Sequence, residues 1–335
     1  MEKKSKTVAK VLTFSLLLLV LCIMAHPKTL AQTLTLTIYT DKNTYNLGET
    51  VTIFGNLTKN GQPITDGLVG IQVIMPSGKT LLIRSLQTFP YQTRYCPIYV
   101  WSVTPCDEWG NPKYTFERES NAYFKITLTN FSSETLTPLV TVVLFDTNNI
   151  SLGYASARFQ IPPDKQTYTL TLWIPIPADA TLGTATVYSS AFTEWPQFNG
   201  TPYCPEKSNT LQIISKSQAA LIQSEVETAT SDTNGSYSMT FRLHSFSETG
   251  AYTIYATSQY DEEAVTETKG FLAGVKGDIN EDGSVDSSDL GLLGIAWGST
   301  LGEPNYSPKA DLNEDGVIDS SDLGIMGMYW GYTSG

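Results

Sequence analysis

Hydrophobic and polar residues alternate along most of the chain, from about residue 33 to residue 273. Thr, Val, Ile and Tyr dominate the alternating runs, and Gly, Pro, Asn and Asp separate them. A two-residue period with β-branched and aromatic side chains predicts strands that bury one face. The length of this region predicts a mainly β fold with two immunoglobulin-like β-sandwiches. The clearest predicted strands are residues 33–39, 51–54, 69–73, 123–128, 140–145, 168–173, 239–243 and 252–256.

The order of the turn motifs indicates how the sandwiches are divided. Residues 41–55 and 67–73 resemble the start of a macroglobulin-type or bacterial Ig-like domain, whose second half is found only at residues 230–237 and 250–256. We therefore expect one sandwich split between residues 33–88 and 217–275. The sandwich inserted into it, residues 89–216, resembles an adhesion-type Ig-like domain of the CARDB kind. Domain insertion is tolerated because domain termini lie close together at the surface. Three domains in a row is the alternative.

Two twelve-residue segments near the C-terminus, 33 residues apart, share the pattern D-x-N-x-D-G-x-[VI]-D-S-S-D. Oxygen donors at positions 1, 3, 5, 9 and 12, with Gly at position 6, are typical of EF-hand-like Ca²⁺ loops. The residue at position 7 contributes its main-chain carbonyl in such loops. We therefore expect two bound Ca²⁺ ions. The predicted ligands are Asp278, Asn280, Asp282, Ser284, Asp286 and Asp289 in the first loop, and Asp311, Asn313, Asp315, Val317, Asp319 and Asp322 in the second.

The loops differ from ordinary EF-hands. The segment before the first loop, residues 271–277, contains two glycines and predicts no entering helix, and position 12 is Asp rather than Glu. A helix is expected after each loop. Its N-cap would be Asp286 or Ser287 in the first repeat and Asp319 or Ser320 in the second. The apolar residues expected on one face of each helix are Leu290, Leu293 and Trp297, and Leu323, Met326 and Trp330.

This duplicated loop and helix resembles the dockerin domain over about residues 275–331. The resemblance implies a small three-helix module that binds two Ca²⁺ ions and docks onto a cohesin domain of another protein. It also implies that loop positions 10 and 11 face the cohesin. Those positions hold Ser287, Ser288, Ser320 and Ser321. Because both repeats carry the same Ser-Ser pair, either could face the partner after a half-turn. The alternative is that these serines only cap the helices.

Charge and the N-terminal residues indicate the setting of the protein. The formal net charge is −12, and residues 278–335 alone contain eleven acidic residues and one Lys. The remainder has no basic stripe, which argues against a nucleic-acid partner. Lysines followed by an apolar run predict a signal peptide over residues 1–31, so we expect a secreted, extracellular protein without a membrane span in its mature form. Surface attachment would come through the partner. A retained membrane anchor is the alternative.

Export permits one disulfide among Cys96, Cys106 and Cys204. Cys204 is expected to pair with one of the other two, and the sequence does not choose between them. Six N-x-[ST] sequons fit an exported glycoprotein. They are Asn56, Asn130, Asn149, Asn199, Asn234 and Asn305.

The chain contains no motif typical of a catalytic site, so we expect a non-catalytic protein. His244, in a predicted strand, is expected to face solvent. Trp195 and Tyr203 mark the loop most suited to stacking on sugar rings. Three functions remain: display of Ig-like adhesion domains through dockerin–cohesin pairing, a polysaccharide-binding component of a cellulosome-like complex, and a structural Ca²⁺-binding surface protein without a cohesin partner.

Overall fold

The computed structural model describes residues 33–90, 95–215, 234–245, 247–313 and 315–333. The predicted signal peptide lies outside these residues, as does part of the turn motif at residues 230–237. The strands are β1 Leu34–Leu36, β2 Tyr39–Thr40, β3 Thr44–Asn46, β4 Thr50–Lys59, β5 Gln62–Pro63, β6 Leu68–Ile74, β7 Thr80–Gln87, β8 Ile98–Cys106, β9 Thr115–Glu117, β10 Asn121–Asn130, β11 Leu139–Phe145, β12 Ser151–Arg158, β13 Thr167–Pro175, β14 Gly183–Phe192, β15 Lys207–Ile214, β16 Ser236–Arg242, β17 Gly250–Tyr260 and β18 Glu263–Gly274. The α-helices are α1 Ser287–Ala296 and α2 Ser320–Met328, and Pro196–Phe198 forms one 3₁₀ turn.

The first pair of sheets combines strands from both ends of the β region. In one sheet, β1, β2, β5 and β16 all pair with β4. The other has the order β3-β18-β17-β6-β7. Antiparallel pairing joins β16 to β4 and β17 to β6, across about 180 residues of chain. Alternate residues of β4 are buried between the two sheets, including Val51, Ile53 and Leu57. We call this pair of sheets sandwich 1.

The second pair of sheets uses only strands that lie between β7 and β16 in the chain. One sheet has the order β13-β10-β8, and the other has the order β12-β11-β14-β15-β9. Alternate residues of β10, such as Phe124 and Ile126, point into the core between these sheets. Strand β11 is buried along its whole length. We call this pair of sheets sandwich 2.

The predicted mainly β fold class is confirmed, and the predicted strands occur, several of them longer than predicted, such as β4 and β17. Residues 33–39 differ in another way, because they contribute to two short strands instead of one. Strand β1 pairs with residues 57–59, whereas β2 pairs with residues 53–54. Between these two strands, Thr37 passes very close to Gly55 of β4. A Cβ at position 55 would lie 1.8 Å from the Thr37 carbonyl oxygen. Only Gly permits this close approach.

A buried ion pair joins the two sandwiches. Arg84 of β7 donates from Nε and Nη2 to the two carboxylate oxygens of Glu206, at 2.7 and 2.5 Å. The guanidinium lies 3.4 Å from the ring centre of Tyr188 in β14. Burial alone would lower the pKa of Arg84, but the Glu206 carboxylate and its hydrogen bonds raise it above its ordinary value. The charge of Arg84 is therefore compensated within the contact between the sandwiches.

None of the helices in the described ranges is long and apolar enough to cross a membrane.

Candidate metal centre and docking surface

Strand β18 leads almost directly into the first predicted calcium loop. Only Val275, Lys276 and Gly277 separate the end of the strand from Asp278. The strand end is fixed because Leu47 N–H donates to the Gly274 carbonyl at 2.9 Å. A strand and a short turn therefore replace the entering helix of an EF-hand.

Each loop ends in a helix that begins with a reciprocal cap. Asp286 accepts from Ser288 N–H at 2.7 Å, while Asp289 accepts from Asp286 N–H at 2.9 Å. Asp319, Ser321 and Asp322 repeat the arrangement at 2.7 and 2.8 Å. Such a capping box satisfies main-chain donors that a helix start leaves unpaired. The caps are thus the aspartates, and the serines that follow them have exposed side chains.

The main chain of the first loop wraps around the carboxylates at positions 1 and 12. Asp278 accepts from Asp282 N–H at 3.1 Å and from Gly283 N–H at 3.0 Å. Asp289, which is fully buried, accepts from Ile279 N–H at 2.7 Å. Gly283 has a φ of +88°, which permits the reversal at position 6. The residues at both ends of the loop therefore lie against its centre.

The second loop repeats these contacts. Asp311 accepts from Asp315 N–H at 3.2 Å and from Gly316 N–H at 2.9 Å, and buried Asp322 accepts from Leu312 N–H at 2.7 Å. Asp311 accepts one further hydrogen bond, from the Tyr306 hydroxyl at 2.6 Å. This bond to Asp311 raises the pKa of Tyr306 to about 12.

The two repeats also bind each other reciprocally. Val285, at position 8 of the first loop, accepts from Gly331 N–H and donates to the Tyr332 carbonyl, both at 2.9 Å. The equivalent Ile318 accepts from Gly298 N–H at 2.8 Å and donates to the Ser299 carbonyl at 3.0 Å. Val285 and Ile318 are both completely buried. Each loop is thus closed by the segment that follows the helix of the other repeat, so the repeats form one unit.

The donor chemistry of the loops fits a hard cation such as Ca²⁺. Burial raises the pKa of the Asp278 carboxyl, and the neighbouring Asp289 and Asp282 carboxylates raise it further, against the opposing effect of the Gly283 N–H. Close carboxylates of this kind repel one another unless a cation offsets their charge. Within the described residues, no group of three His, Cys, Asp or Glu side chains converges closely enough to hold a metal. The predicted ligand set also includes donors outside these four residue types. They are the side chains of Asn280 and Asn313 and the main-chain carbonyls of Ser284 and Val317.

The helices expose much of their apolar surface. Of the two sets expected on one face of each helix, Leu293 and Met326 are buried, whereas Leu290, Trp297, Leu323 and Trp330 are exposed. Both helices carry apolar residues on two sides, and one side has no described partner. The exposed side contains Leu290, Leu292, Ile295, Leu323 and Met328, together with Ser287, Ser288, Ser320 and Ser321. We call these nine residues the candidate docking surface.

The repeat could have revealed three of these residues from the sequence. Leu292, Ile295 and Met328 lie outside the predicted apolar sets, and each has an apolar counterpart 33 residues away in the other repeat. Ile295 and Met328 occupy equivalent positions and are both exposed, which indicates a contact that each repeat could make.

The three-helix arrangement implied by the dockerin resemblance differs from the structure. The connecting segment, residues 301–310, consists of turns, and α1 and α2 are the two α-helices of the described chain. Pro304 and Pro308 interrupt the segment, and proline in a helix interior removes a hydrogen bond and clashes with the preceding turn.

The three cysteines and one of the sequon asparagines, Asn130, are buried. Cys106 and Cys204 have free thiols. Burial raises the pKa of the Cys204 thiol to about 12, with a smaller contribution from the neighbouring Cys96. Asn130 is completely buried and donates to the Ile161 carbonyl at 2.8 Å, so its amide is not accessible for glycosylation in the fold.

The three residues expected at the surface, namely His244, Trp195 and Tyr203, contact other side chains of the fold. His244 is partly buried, rather than facing solvent, and its Nε2 lies 3.4 Å from Asp179 Oδ2. Trp195 is partly buried and meets the Tyr154 ring edge-on at 6.0 Å between centroids. Tyr203 packs against the core of sandwich 2, and burial raises its pKa. Trp195 and Tyr203, the two aromatic residues of the predicted sugar-stacking loop, are therefore both partly buried.

Three solved structures are similar to part of the chain. The CARDB domain of a Pyrococcus furiosus protein in complex with di-metal ions has 11% identity over 37% of this chain and 100% of that chain, with a TM-score of 0.24. An alkylpurine DNA glycosylase of Pseudomonas fluorescens bound to DNA has 9% identity over 36% and 32% of the chains, with a TM-score of 0.26. A Listeria innocua β-glucosidase in complex with laminaribiose has 12% identity over 38% and 17%, with a TM-score of 0.25. This chain thus spans a third or less of both enzymes.

No curated protein significantly matches the chain. The dockerin type I domain family matches residues 276–329. This match includes both calcium loops and both helices. The predicted dockerin resemblance is therefore confirmed for this segment, and a dockerin domain implies Ca²⁺ binding and docking onto a cohesin.

Proposed function

We propose that residues 276–335 bind two Ca²⁺ ions and dock onto a cohesin-bearing partner, and that the two sandwiches are the non-catalytic part that this docking presents at a cell surface or within an extracellular complex. The reciprocal closure of the two loops supports this proposal most directly. Because Val285 and Ile318 each bind the end of the other repeat, ordering one loop stabilises the other.

The matched hydrogen bonds support two ions rather than one. Asp278 and Asp311 accept from the same loop positions, as do Asp289 and Asp322. The proposed ligands are the twelve residues predicted from the loop pattern. When bound, Ca²⁺ would supply the positive charge that offsets the clustered carboxylates.

Calorimetric titration of the full chain with Ca²⁺ tests the metal assignment. Asp278→Ala and Asp311→Ala are each expected to remove one of two equivalents. Asp107→Ala is the matched control, because Asp107 also accepts main-chain hydrogen bonds in a turn but lies outside the loops. Two-site binding that persists in both loop variants contradicts the assignment.

The exposed serines and apolar residues support the candidate docking surface. The same residue types occur at equivalent positions of α1 and α2, so the partner could bind either repeat after a half-turn. The serines are exposed and the aspartates form the caps, which favours partner contact over a capping role for the serine side chains.

Capture by a panel of cohesin domains, with and without EDTA, tests the docking proposal. Replacing Ser287 and Ser288 with Gln in one repeat is expected to leave capture intact through the other repeat. The same change in both repeats is expected to abolish capture while two Ca²⁺ still bind. A chain that binds two Ca²⁺ but no cohesin would instead be a structural calcium protein.

We also propose that sandwich 2 is a domain inserted into sandwich 1, at about residues 89–216. The pairing of β16 with β4 and of β17 with β6 supports this division over three domains in a row. Separate expression tests it. Residues 89–216 are expected to melt cooperatively, and a fusion of residues 33–88 to residues 217–275 is expected to fold. Failure of both fragments to fold contradicts the insertion.

A further inference from the structure

The outer face of the β8-β10-β13 sheet carries exposed aromatic rings. Trp101 of β8 is 51% exposed and Trp173 of β13 is 53% exposed. Trp109, in the turn that follows β8, is 78% exposed. Half of the six tryptophans of the chain thus lie on or beside one three-stranded sheet. Exposed indole rings concentrated in one place indicate a binding surface, because burying them is normally favourable.

Neighbouring side chains hold the ring of Trp101 in place. Its Nε1 donates to Thr129 Oγ1 at 2.9 Å. Tyr99 meets the indole edge-on at 4.5 Å between ring centres, and Phe131 does so at 6.2 Å. These contacts restrict the ring while leaving half of it accessible, so binding would cost little additional side-chain entropy.

The second tryptophan stands at the other end of the face. Trp173 lies directly opposite Tyr123 of β10 in the antiparallel register. Trp101 lies opposite the β-bulge at Thr127 and Leu128 on the other side of β10. Four to five residues along the strands and two strand spacings across the sheet separate the backbone positions of the two tryptophans by about 18 Å.

Hydroxyl groups occupy the surface between the two tryptophans. Thr169 and Thr171 of β13 are exposed, and the hydroxyls of Ser102 and Thr127 are hydrogen-bonded to each other at 2.7 Å. The one charged residue along this stretch, Lys125, donates to the Gly110 carbonyl at 2.9 Å. The face thus combines two fixed aromatic platforms with a row of neutral donors and acceptors.

We propose that this face binds a neutral polysaccharide, with the rings of Trp101 and Trp173 packing against sugar rings and the hydroxyls between them exchanging hydrogen bonds with the glycan. A pyranose ring offers the complementary chemistry, namely an apolar face of C–H groups and a rim of hydroxyls. A nucleic acid would require several basic groups for its phosphates, and Lys125 alone does not supply them. A protein partner would favour an apolar centre, whereas threonines and a serine occupy the centre here.

Retention of the full chain on insoluble cellulose and xylan, together with affinity electrophoresis in soluble neutral glucans, tests the proposal. The wild type is expected to bind at least one of these polysaccharides equally well with Ca²⁺ and with EDTA. Binding should also persist at high salt, because the ligand is neutral and Lys125 is the one charged residue between the two tryptophans. Trp101→Ala and Trp173→Ala are each expected to weaken binding about tenfold, which corresponds to about 1.4 kcal/mol.

Phe198→Ala is the matched control. Phe198 is 63% exposed on the 3₁₀ turn that follows β14, away from this sheet, and its loss should leave retention unchanged. Thermal melting of each variant distinguishes lost binding from lost folding. The proposal is overturned if the wild type binds none of the neutral polysaccharides, if the tryptophan variants bind as well as the wild type, or if binding disappears at high salt.

Discussion

Arg84 is the residue whose environment differs most from what its position in the sequence indicates. It lies in a strand with no nearby acid in sequence, yet it forms two hydrogen bonds with Glu206, which is 122 residues away. Its side chain is only 9% exposed. A buried ion pair of this kind depends on both partners, since either charge alone would remain desolvated.

Replacing Arg84 with Leu is therefore expected to destabilise the protein by about 3–5 kcal/mol, because the Glu206 carboxylate loses its partner. Urea unfolding followed by tryptophan fluorescence measures this loss. Lys42→Leu is the control, because its ion pair with Glu49 is solvent-exposed and should contribute about 1 kcal/mol or less. The double variant Arg84→Leu with Glu206→Leu should recover part of the loss. Equal effects of Arg84→Leu and Lys42→Leu would contradict the role of the buried pair.

The cysteines give a second prediction for single residues. Cys96 neighbours Cys204 in the core of sandwich 2, whereas Cys106 lies beside Pro112 at the far end of β8. We expect an oxidised preparation to contain a Cys96–Cys204 disulfide and a Cys106 thiol. Peptide mapping under non-reducing conditions identifies the pair, and Cys106→Ser should leave it unchanged. A peptide that joins Cys106 to Cys204 would contradict this placement.

At the level of elements, alternation in the sequence predicts the strands because β-sandwiches bury one side of each strand. The same rule fails for α1 and α2. Their apolar residues lie on two sides of each helix, one facing the interior of the repeat pair and one exposed, so no single face contains them all. The break between β1 and β2 was also beyond prediction, since it depends on where Thr37 crosses Gly55.

The glycines of α1 give a prediction about this element. A Cβ at Gly291 would contact nothing within 4 Å, so Gly291→Ala should stabilise the calcium-bound helix by about 0.5–1 kcal/mol. Gly283→Ala is the contrasting variant, because its φ of +88° disfavours a side chain and should weaken calcium binding. Thermal melting with saturating Ca²⁺ compares the two. A destabilising effect of Gly291→Ala would show that the exposed helix side has a partner within the chain.

For the whole molecule, the uneven distribution of charge follows from the loop pattern. Residues 278–335 account for −10 of the net −12, whereas the much longer stretch of residues 33–277 carries 21 acidic and 15 basic residues. The sequence therefore predicts which part of the chain binds calcium. It could not show which strands pair across the chain, because the pairing of β16 with β4 depends on contacts far apart in sequence. The division into a split and an inserted sandwich accordingly stays a proposal, which these pairings support.

Removal of calcium should therefore affect one part of the molecule. Without the cation, the carboxylates around Asp278 and Asp311 repel one another, so residues 276–335 should lose their helices. The cores of the two sandwiches contain no predicted calcium ligand and should melt as before. Differential scanning calorimetry with EDTA is expected to lose or lower one transition and to keep the sandwich transition within about 2 °C, since mutual repulsion is confined to the acidic segment. The double variant Asp278→Ala with Asp311→Ala should resemble the EDTA sample even when Ca²⁺ is present. A single transition that falls as a whole in EDTA would contradict this prediction and would mean that the calcium loops stabilise the sandwiches as well.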